Sequence, residues 1–179
     1  DIDRYKLSWG GWWINYDEEL ARKYHNQLPS RTLFEREKLI ICQNSLRLRA
    51  TYDNQEFYCK DTFFVAYLKE HTRTDFNLKF FLALLNSKLL HYYYANIYKG
   101  THITGGYLHY LIGYLNSLPV AEPTEHQHNE IVTLVEKIMT AKDTTTFKKI
   151  DAKLDHAIYR LYGLTSKEME IADASTAHF

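Results

Sequence analysis

The spacing of hydrophobic residues changes once along this chain, and no other feature constrains the fold as much. From residue 38 to residue 68 they recur with a period of about two, which is the spacing of β-strands. From residue 78 onward they recur with the period of a helix. This order predicts an α+β fold, in which a mainly antiparallel sheet packs on a buried helix and a C-terminal helical hairpin follows. We expect the strands to form a meander.

The clearest alternation runs from residue 46 to residue 52 and predicts one continuous strand. Its two faces are expected to carry Leu46, Leu48 and Ala50 toward the core and Arg47, Arg49 and Thr51 outward. Two arginines on one strand face suit contact with a phosphate or a base edge. They are equally typical of a solvated sheet surface, and the alternation does not decide between the two.

Two prolines, Pro119 and Pro123, mark a boundary in the chain. We therefore predict one domain over residues 1–121, with an irregular lead-in at residues 1–30, and a helical tail over residues 122–179.

Helix signals lie on both sides of this boundary. Thr74-Asp75 is a candidate N-cap for the buried helix, and Asn86-Ser87 is expected to break that helix into two. In the tail, Thr124–Gln127 and Thr165–Glu168 have the form of capping boxes, which predicts a helical hairpin and a short last helix.

Charge is distributed unevenly along a chain that has 22 basic and 22 acidic residues. Residues 76–121 contain three lysines, seven tyrosines and four glycines but no Asp or Glu, a composition that suits a nucleic-acid surface. Burial of an apolar helix would exclude carboxylates equally well, so both explanations stay open. Residues 122–179 hold seven basic and ten acidic side chains, net −3, which argues against DNA contact in the tail.

Composition excludes several classes of protein. A content of 45% hydrophobic residues excludes a disordered chain, and no apolar run approaches the roughly 18 residues of a membrane span, so we expect no membrane partner. Two cysteines and the lack of a secretory signal predict a cytoplasmic protein. Because the chain begins at Asp1 rather than Met, we expect it to be a fragment of a longer polypeptide.

Four blocks, in a fixed order, resemble a known family. They are the strand segments Lys38–Asn44, Ala50–Asp53, Phe57–Cys59 and Thr62–Val65, the helical block Phe81–Leu90 with Tyr92-Tyr93-Tyr94, the closing segment Leu115–Val120, and the tail from Ile131 to Glu168. Together they resemble the TaqI-like C-terminal specificity domain. That domain is the target-recognition part of N6-adenine DNA methyltransferases and of type IIG restriction–modification enzymes.

The resemblance implies that residues 1–121 are a target-recognition domain. Such a domain binds double-stranded DNA and directs a fused or associated methyltransferase, with or without a nuclease, to its target site. The chain has neither an Asn-Pro-Pro-Tyr-type tetrapeptide nor a Gly-rich cofactor loop, and we find no zinc-like ligand spacing. We therefore expect no catalysis and no cofactor in this fragment, and we assign S-adenosylmethionine and any Mg²⁺ to the parent protein.

Candidate DNA-binding residues cluster in two segments, residues 43–49 and 98–107, and Lys88 is an additional candidate. For contacts to base edges the suitable side chains are Gln43, Asn44, Arg47, Arg49, Thr101, His102 and Thr104. For contacts to phosphates we expect Lys88, Lys99 and the backbone amides of Gly105 and Gly106.

Two other functions compete with DNA recognition. The stronger is a protein–protein interaction module that docks through its helical tail, and the salt dependence of binding distinguishes it from a DNA-binding domain. A surface that stacks single-stranded bases on tyrosines is less favoured, because Tyr92, Tyr93 and Tyr94 cannot share one helical face.

Overall fold

The computed structural model describes residues 1–69 and 76–176. The strands are β1 (Ile2–Asp3), β2 (Lys6–Leu7), β3 (Lys38–Cys42), β4 (Asn44–Ser45), β5 (Ala50–Asp53), β6 (Phe63–Ala66) and β7 (Leu108–His109). The helices are α1 (Glu18–Lys23), α2 (Arg31–Phe34), α3 (Leu78–Asn86), α4 (Lys88–Ile97), α5 (Ile112–Leu115), α6 (Glu125–Met139), α7 (Thr144–Leu161) and α8 (Ser166–Ala174). These elements confirm the predicted α+β class, with antiparallel pairing and C-terminal helices.

Strand β3 is the centre of the main sheet. Its five residues are all buried, with Leu39 and Ile41 in the main core on one face of the sheet and Ile40 and Cys42 in a small apolar cluster on the other. It pairs antiparallel with β5 on one edge and with β6 on the other, so the strand order is β5-β3-β6.

The predicted meander order is therefore wrong, because β6 does not pair with β5. The cause lies at the end of β5, where the Asp53 carboxylate accepts hydrogen bonds from the backbone N–H groups of Gln55 at 2.8 Å and Phe57 at 3.0 Å. This turn directs the chain away from β5, and the irregular segment after it crosses to the free edge of β3.

The predicted strand over residues 46–52 is also shortened, because residues 46–49 form a bend and the strand begins only at Ala50. Ser45 Oγ donates to the carbonyl oxygen of Arg47 at 2.6 Å and bends the chain, so β4 and β5 are separate strands. As a result Leu46 is 37% exposed and the Arg47 side chain points inward, opposite to the prediction. Thr51 is buried as well, because Ile2, Ile40 and Cys42 form a small apolar cluster on the second face of the sheet.

The lead-in at residues 1–30 was predicted to be irregular, but part of it forms strands and a helix. Strands β1 and β2 form a two-stranded antiparallel sheet, and the backbone N–H of Tyr5 between them donates to the Ala50 carbonyl at 3.0 Å. Asp17 caps α1 by accepting from the Leu20 N–H. Burial of Ile2 and Tyr5 ties this segment to the main sheet.

Helices α3 and α4 are separated at the predicted position. Ser87 is in an extended conformation and its Oγ accepts from the Leu90 N–H at 3.1 Å, which starts α4. The side chain of Asn86 instead bonds to the sheet, accepting from the Ala50 N–H at 2.9 Å and donating to the Ala50 carbonyl at 3.0 Å. The predicted cap Thr74-Asp75 lies outside the described residues, and Asn77 caps α3.

The tail forms the predicted hairpin of α6 and α7, followed by α8. Both capping boxes are present, from Thr124 to Gln127 and from Thr165 to Glu168. The inner faces of α6 and α7 join the same hydrophobic core as α3 and the sheet. The boundary near residue 121 stays a prediction, since the core continues across it.

Across residues 1–69 and 76–176 no helix is long and apolar enough to cross a membrane.

Candidate nucleic-acid interface

The two segments predicted to contact DNA lie side by side in the structure. Strand β4 pairs antiparallel with β7, which places Asn44 opposite His109 and Ser45 opposite Leu108. Next to this pair the Tyr110 N–H donates to the carbonyl oxygen of Gln43 at 2.7 Å. The loop between α4 and β7 is therefore held against the turn that follows β3.

This loop, residues 98–107, has a defined backbone. Two 3₁₀ turns, Lys99–Thr101 and Thr104–Gly106, are closed by a hydrogen bond from the Ile103 N–H to the Tyr107 carbonyl at 2.8 Å. Gly105 and Gly106 both have φ of 80°, a conformation that favours glycine. A Cβ at position 106 would also lie 3.7 Å from the Leu46 side chain, so the loop and the turn are in close contact.

The loop residues divide into internal and exposed groups. Thr101 is buried and its Oγ1 donates to the Tyr98 carbonyl at 2.8 Å, so this hydroxyl holds the turn. His102, Thr104 and Lys99 are exposed. One ring nitrogen of His102, Nε2, lies 3.2 Å from the Ala95 carbonyl oxygen, while Lys99 makes no ion pair within the described ranges.

The turn after β3 contributes two amide side chains. Asn44 is exposed, and its Oδ1 lies 2.7 Å from Nδ1 of His109. Gln43 is half-buried and its Nε2 donates to the carbonyl oxygen of Asp61 at 2.6 Å. Both amides are oriented by a partner while part of each group still faces the surface.

Arg49 is the third predicted side chain in this region. It is half-buried beside the Cys42 thiol. Burial raises the pKa of Cys42, and the nearby Arg49 guanidinium partly opposes that rise. The Nε of Arg49 is buried and has no hydrogen-bond partner in the described part of the chain.

Arg47 and Lys88 lie elsewhere, in an ionic cluster between the sheet and the tail. Arg47 donates to the Asn86 carbonyl at 2.9 Å, and Lys88 Nζ donates to Asp173 at 2.7 Å. Arg4 forms a two-point contact with Asp151 at 2.6 and 2.7 Å beside them. The prediction that Arg47 faces outward is wrong because its partners, distant in sequence, surround it in space.

Burial controls the titration of this cluster. It lowers the pKa of Arg47, and the positive charge of Arg4 lowers that pKa further. It raises the pKa of the buried Asp155 carboxyl, with the Asp151 charge acting in the same direction. Asp155 Oδ1 accepts from the backbone N–H of Lys88 at 3.0 Å, so the cluster holds α7 against the start of α4.

The stretch without carboxylates, residues 76–121, has a buried part and an exposed part. In α3 the buried residues exclude acids by packing, whereas residues 102–107 are exposed and still contain no acid. Of its three lysines, Lys79 pairs with Glu136 at 2.6 Å and Lys88 pairs with Asp173, so both charges are compensated by the tail. Lys99 remains as the exposed cation of the loop.

A layer of tyrosines supports the loop from below. Tyr98 and Tyr114 stack with ring centroids 4.1 Å apart and planes 4° apart. The Tyr94 hydroxyl donates to the His109 carbonyl at 3.1 Å and accepts from the Leu111 N–H at 3.1 Å. Tyr94 and Tyr110 are buried, so these two rings hold β7 in place and are not a stacking surface for bases.

Sequence reasoning missed one residue that the structure brings to this interface, His109. The alternation of Tyr107, Leu108, His109 and Tyr110 indicates a short strand, and this pattern was the available signal. Its partner strand, β4, lies far earlier in the chain, since the paired residues Ser45 and Leu108 are 63 residues apart. Only the tertiary structure shows that pairing.

Comparison with known proteins identifies one family. Residues 1–120 match the TaqI-like C-terminal specificity domain, whereas the helical tail lies outside the match. No curated protein matches the chain. A specificity domain is the non-catalytic part of a restriction–modification enzyme, and the match therefore supports a role in DNA recognition.

Proposed function

This chain belongs to the TaqI-like C-terminal specificity domain family, and from this membership we propose that it reads a specific sequence in double-stranded DNA. The observation that carries the proposal is the pairing of β4 with β7. It joins an exposed, carboxylate-free glycine loop to a turn that bears two side-chain amides. In this reading the chain positions a fused or associated methyltransferase, with or without a nuclease, at its target.

Base edges would be read by the polar side chains of this joint surface. Amide side chains can donate and accept two hydrogen bonds to adenine in the major groove, which suits Asn44 and Gln43. Thr104, His102 and His109 add donors and acceptors beside them. The half-buried Arg49 would add guanidinium donors to the same surface.

Phosphates would be bound by the loop backbone and by Lys99. The N–H groups near Gly105 and Gly106 lie in an exposed turn with positive φ, a geometry that suits anions. Arg47, Lys88 and Thr101 support the surface from within, since each is engaged in an internal hydrogen bond or ion pair.

The chemistry of methylation belongs, in this proposal, to the catalytic domain that the chain accompanies. S-adenosylmethionine, and Mg²⁺ if that domain also cleaves DNA, would bind there. Incubation of the purified chain with DNA and radiolabelled S-adenosylmethionine should give no methyl transfer, and clear turnover would contradict the assignment.

Lys99→Ala tests the phosphate contact. Removing one phosphate-binding cation should weaken binding to all duplexes alike and lower the slope of log K against log salt by about one unit. Fluorescence anisotropy with a labelled duplex over a series of salt concentrations measures this slope. Lys23→Ala, an exposed lysine of α1, is the control, and an equal change in both variants would contradict a contact at the loop.

Asn44→Ala tests base reading. Selection from a randomised duplex pool with the wild-type chain should enrich a common motif, because the bound sequence is read directly. On that motif Asn44→Ala should lose about 1–3 kcal/mol of binding free energy, with little loss on random DNA. Gln43→Ala should behave in the same way, and enrichment of no motif by the wild-type chain would refute sequence-specific recognition.

A further inference from the structure

The outer face of the helical tail carries a groove between α6 and α7 with a volume of about 660 Å³. Lys137 from α6 and Lys153 and Arg160 from α7 line it, and all three are exposed. His126 and His156 lie among them and add ring N–H groups. The groove therefore presents three cations and two imidazole groups to a ligand.

The net charge of the tail is negative, but most of its carboxylates lie outside this groove and make other contacts. Some pair with basic residues of the N-terminal part of the chain, and others cap helices. Those engaged in this way are Glu136, Asp143, Asp151, Asp155, Glu168 and Asp173. We expected the tail to avoid DNA because its charges sum to a negative value along the sequence. In the structure the cations of the groove and most of the carboxylates lie on different faces of the tail.

One carboxylate does line the groove. Glu130 accepts a hydrogen bond from Nη2 of Arg160 at 2.6 Å. A guanidinium has five N–H donors, so this single bond leaves donors of Arg160 for another anion. The groove keeps a surplus of positive charge with the pair formed.

The spacing of the cations suits a line of phosphates. Lys153 and Arg160 lie two helical turns apart, so they share one face of α7, with the His156 ring between them. They lie about 10 Å apart along the helix axis, so each can contact a different phosphate of one DNA strand.

We propose that this groove binds backbone phosphates of duplex DNA outside the sequence read by the loop and the turn. The proposal rests on the proposed function, since it assumes that the chain binds DNA. It assigns the tail a sequence-independent share of the affinity. The chain as a whole is neutral. It would nevertheless contact phosphates at two places, at Lys99 in the loop and at the groove in the tail.

The test is a triple substitution in the full chain, Lys137→Gln, Lys153→Gln and Arg160→Gln. Anisotropy with a labelled 24-base-pair duplex of random sequence should show a salt slope that is lower by about two to three units, at about 0.9 per lost phosphate contact. The matched control removes three exposed lysines of the tail that do not line the groove, Lys142, Lys148 and Lys167, each changed to Gln. It should keep the wild-type slope.

A second variant guards against a folding artefact, because Glu130→Gln should strengthen binding by removing the carboxylate of the groove. Equal losses in the triple variant and its control would reduce the effect to net charge and overturn the proposal. So would an unchanged slope in the triple variant. Displacement of the duplex by a polyglutamate peptide as effectively as by unlabelled duplex would overturn it in favour of an acidic protein partner.

Lys99→Ala, measured in the same assay, separates this inference from the proposed function. If Lys99→Ala weakens binding and the triple variant does not, the groove proposal fails and the recognition loop stands. If only the triple variant weakens binding, the loop fails as the DNA-reading surface.

Discussion

Burial decides which charged residues of this chain are available to a ligand. Lys38 and Asp53 form an ion pair with side-chain exposures of 0% and 1%, and Lys38 Nζ also donates to the Phe34 carbonyl at 2.5 Å. Such a pair fixes the start of β3 against the end of β5. Together with Arg47 it shows that burial can commit basic residues to the fold alone.

His91 should make the stability of the chain depend on pH. Burial lowers its pKa from 6.5 to about 4, and Arg47 nearby adds charge repulsion. Above pH 6.5 the ring is neutral in both states and its contribution to stability is complete. As the pH falls toward 4 only the unfolded chain takes up the proton, so the free energy of unfolding should drop by about 3 kcal/mol.

Urea unfolding at pH 7, 5.5 and 4.5 measures this dependence. His91→Gln should flatten the decline relative to the wild-type chain. His126→Gln, which changes an exposed histidine of the tail, is the control and should retain the wild-type decline. An identical pH dependence in the wild-type and His91→Gln chains would contradict the assignment.

At the scale of elements, the junction between α3 and α4 links the helices to the sheet. Asn86→Ala would leave the buried Ala50 N–H without its acceptor, and we expect a loss of about 2–3 kcal/mol in the free energy of unfolding. Asn96→Ala is the control, because that side chain is exposed and bonds within α4 to the Tyr92 carbonyl. Denaturant unfolding should show a loss under about 0.5 kcal/mol for the control, and similar losses in both variants would rule out this role.

Local signals account for the elements that the sequence predicted correctly. The capping boxes at Thr124 and Thr165 and the break at Asn86-Ser87 depend on residues within one or two turns. The order β5-β3-β6 depends instead on where a nine-residue irregular segment crosses, between the end of β5 at Asp53 and the start of β6 at Phe63. No periodicity encodes that crossing.

The candidate site follows the same division. The glycine loop and the amide-bearing turn were predictable because exposed Gly, Thr and Asn residues form local patterns. Their contact through β4 and β7 was not, and neither was the inward direction of Arg47, whose neighbours Arg4, Asn86 and Asp151 are far away in sequence.

At the scale of the whole molecule, the N-terminal part and the tail form one packed unit. Ile131, Val135 and Ile158 share a core with α3, and ion pairs to Asp151, Asp173 and Glu136 cross the same boundary. The tail therefore packs against α3 and α4, and α4 leads directly into the loop of residues 98–107. Docking of a protein partner through the tail would have to use its polar outer face, since the apolar faces are packed inside.

The most direct test of the account is amide hydrogen exchange of the full chain with and without an excess of the duplex obtained by selection. We predict that DNA slows exchange at residues 43–45 and 99–107, because both segments lie on the surface that reads the bases. The control is a scrambled duplex of equal length, which should protect the loop backbone less. Exchange that slows in α1 or α8 while both segments exchange as in the free chain would contradict the account.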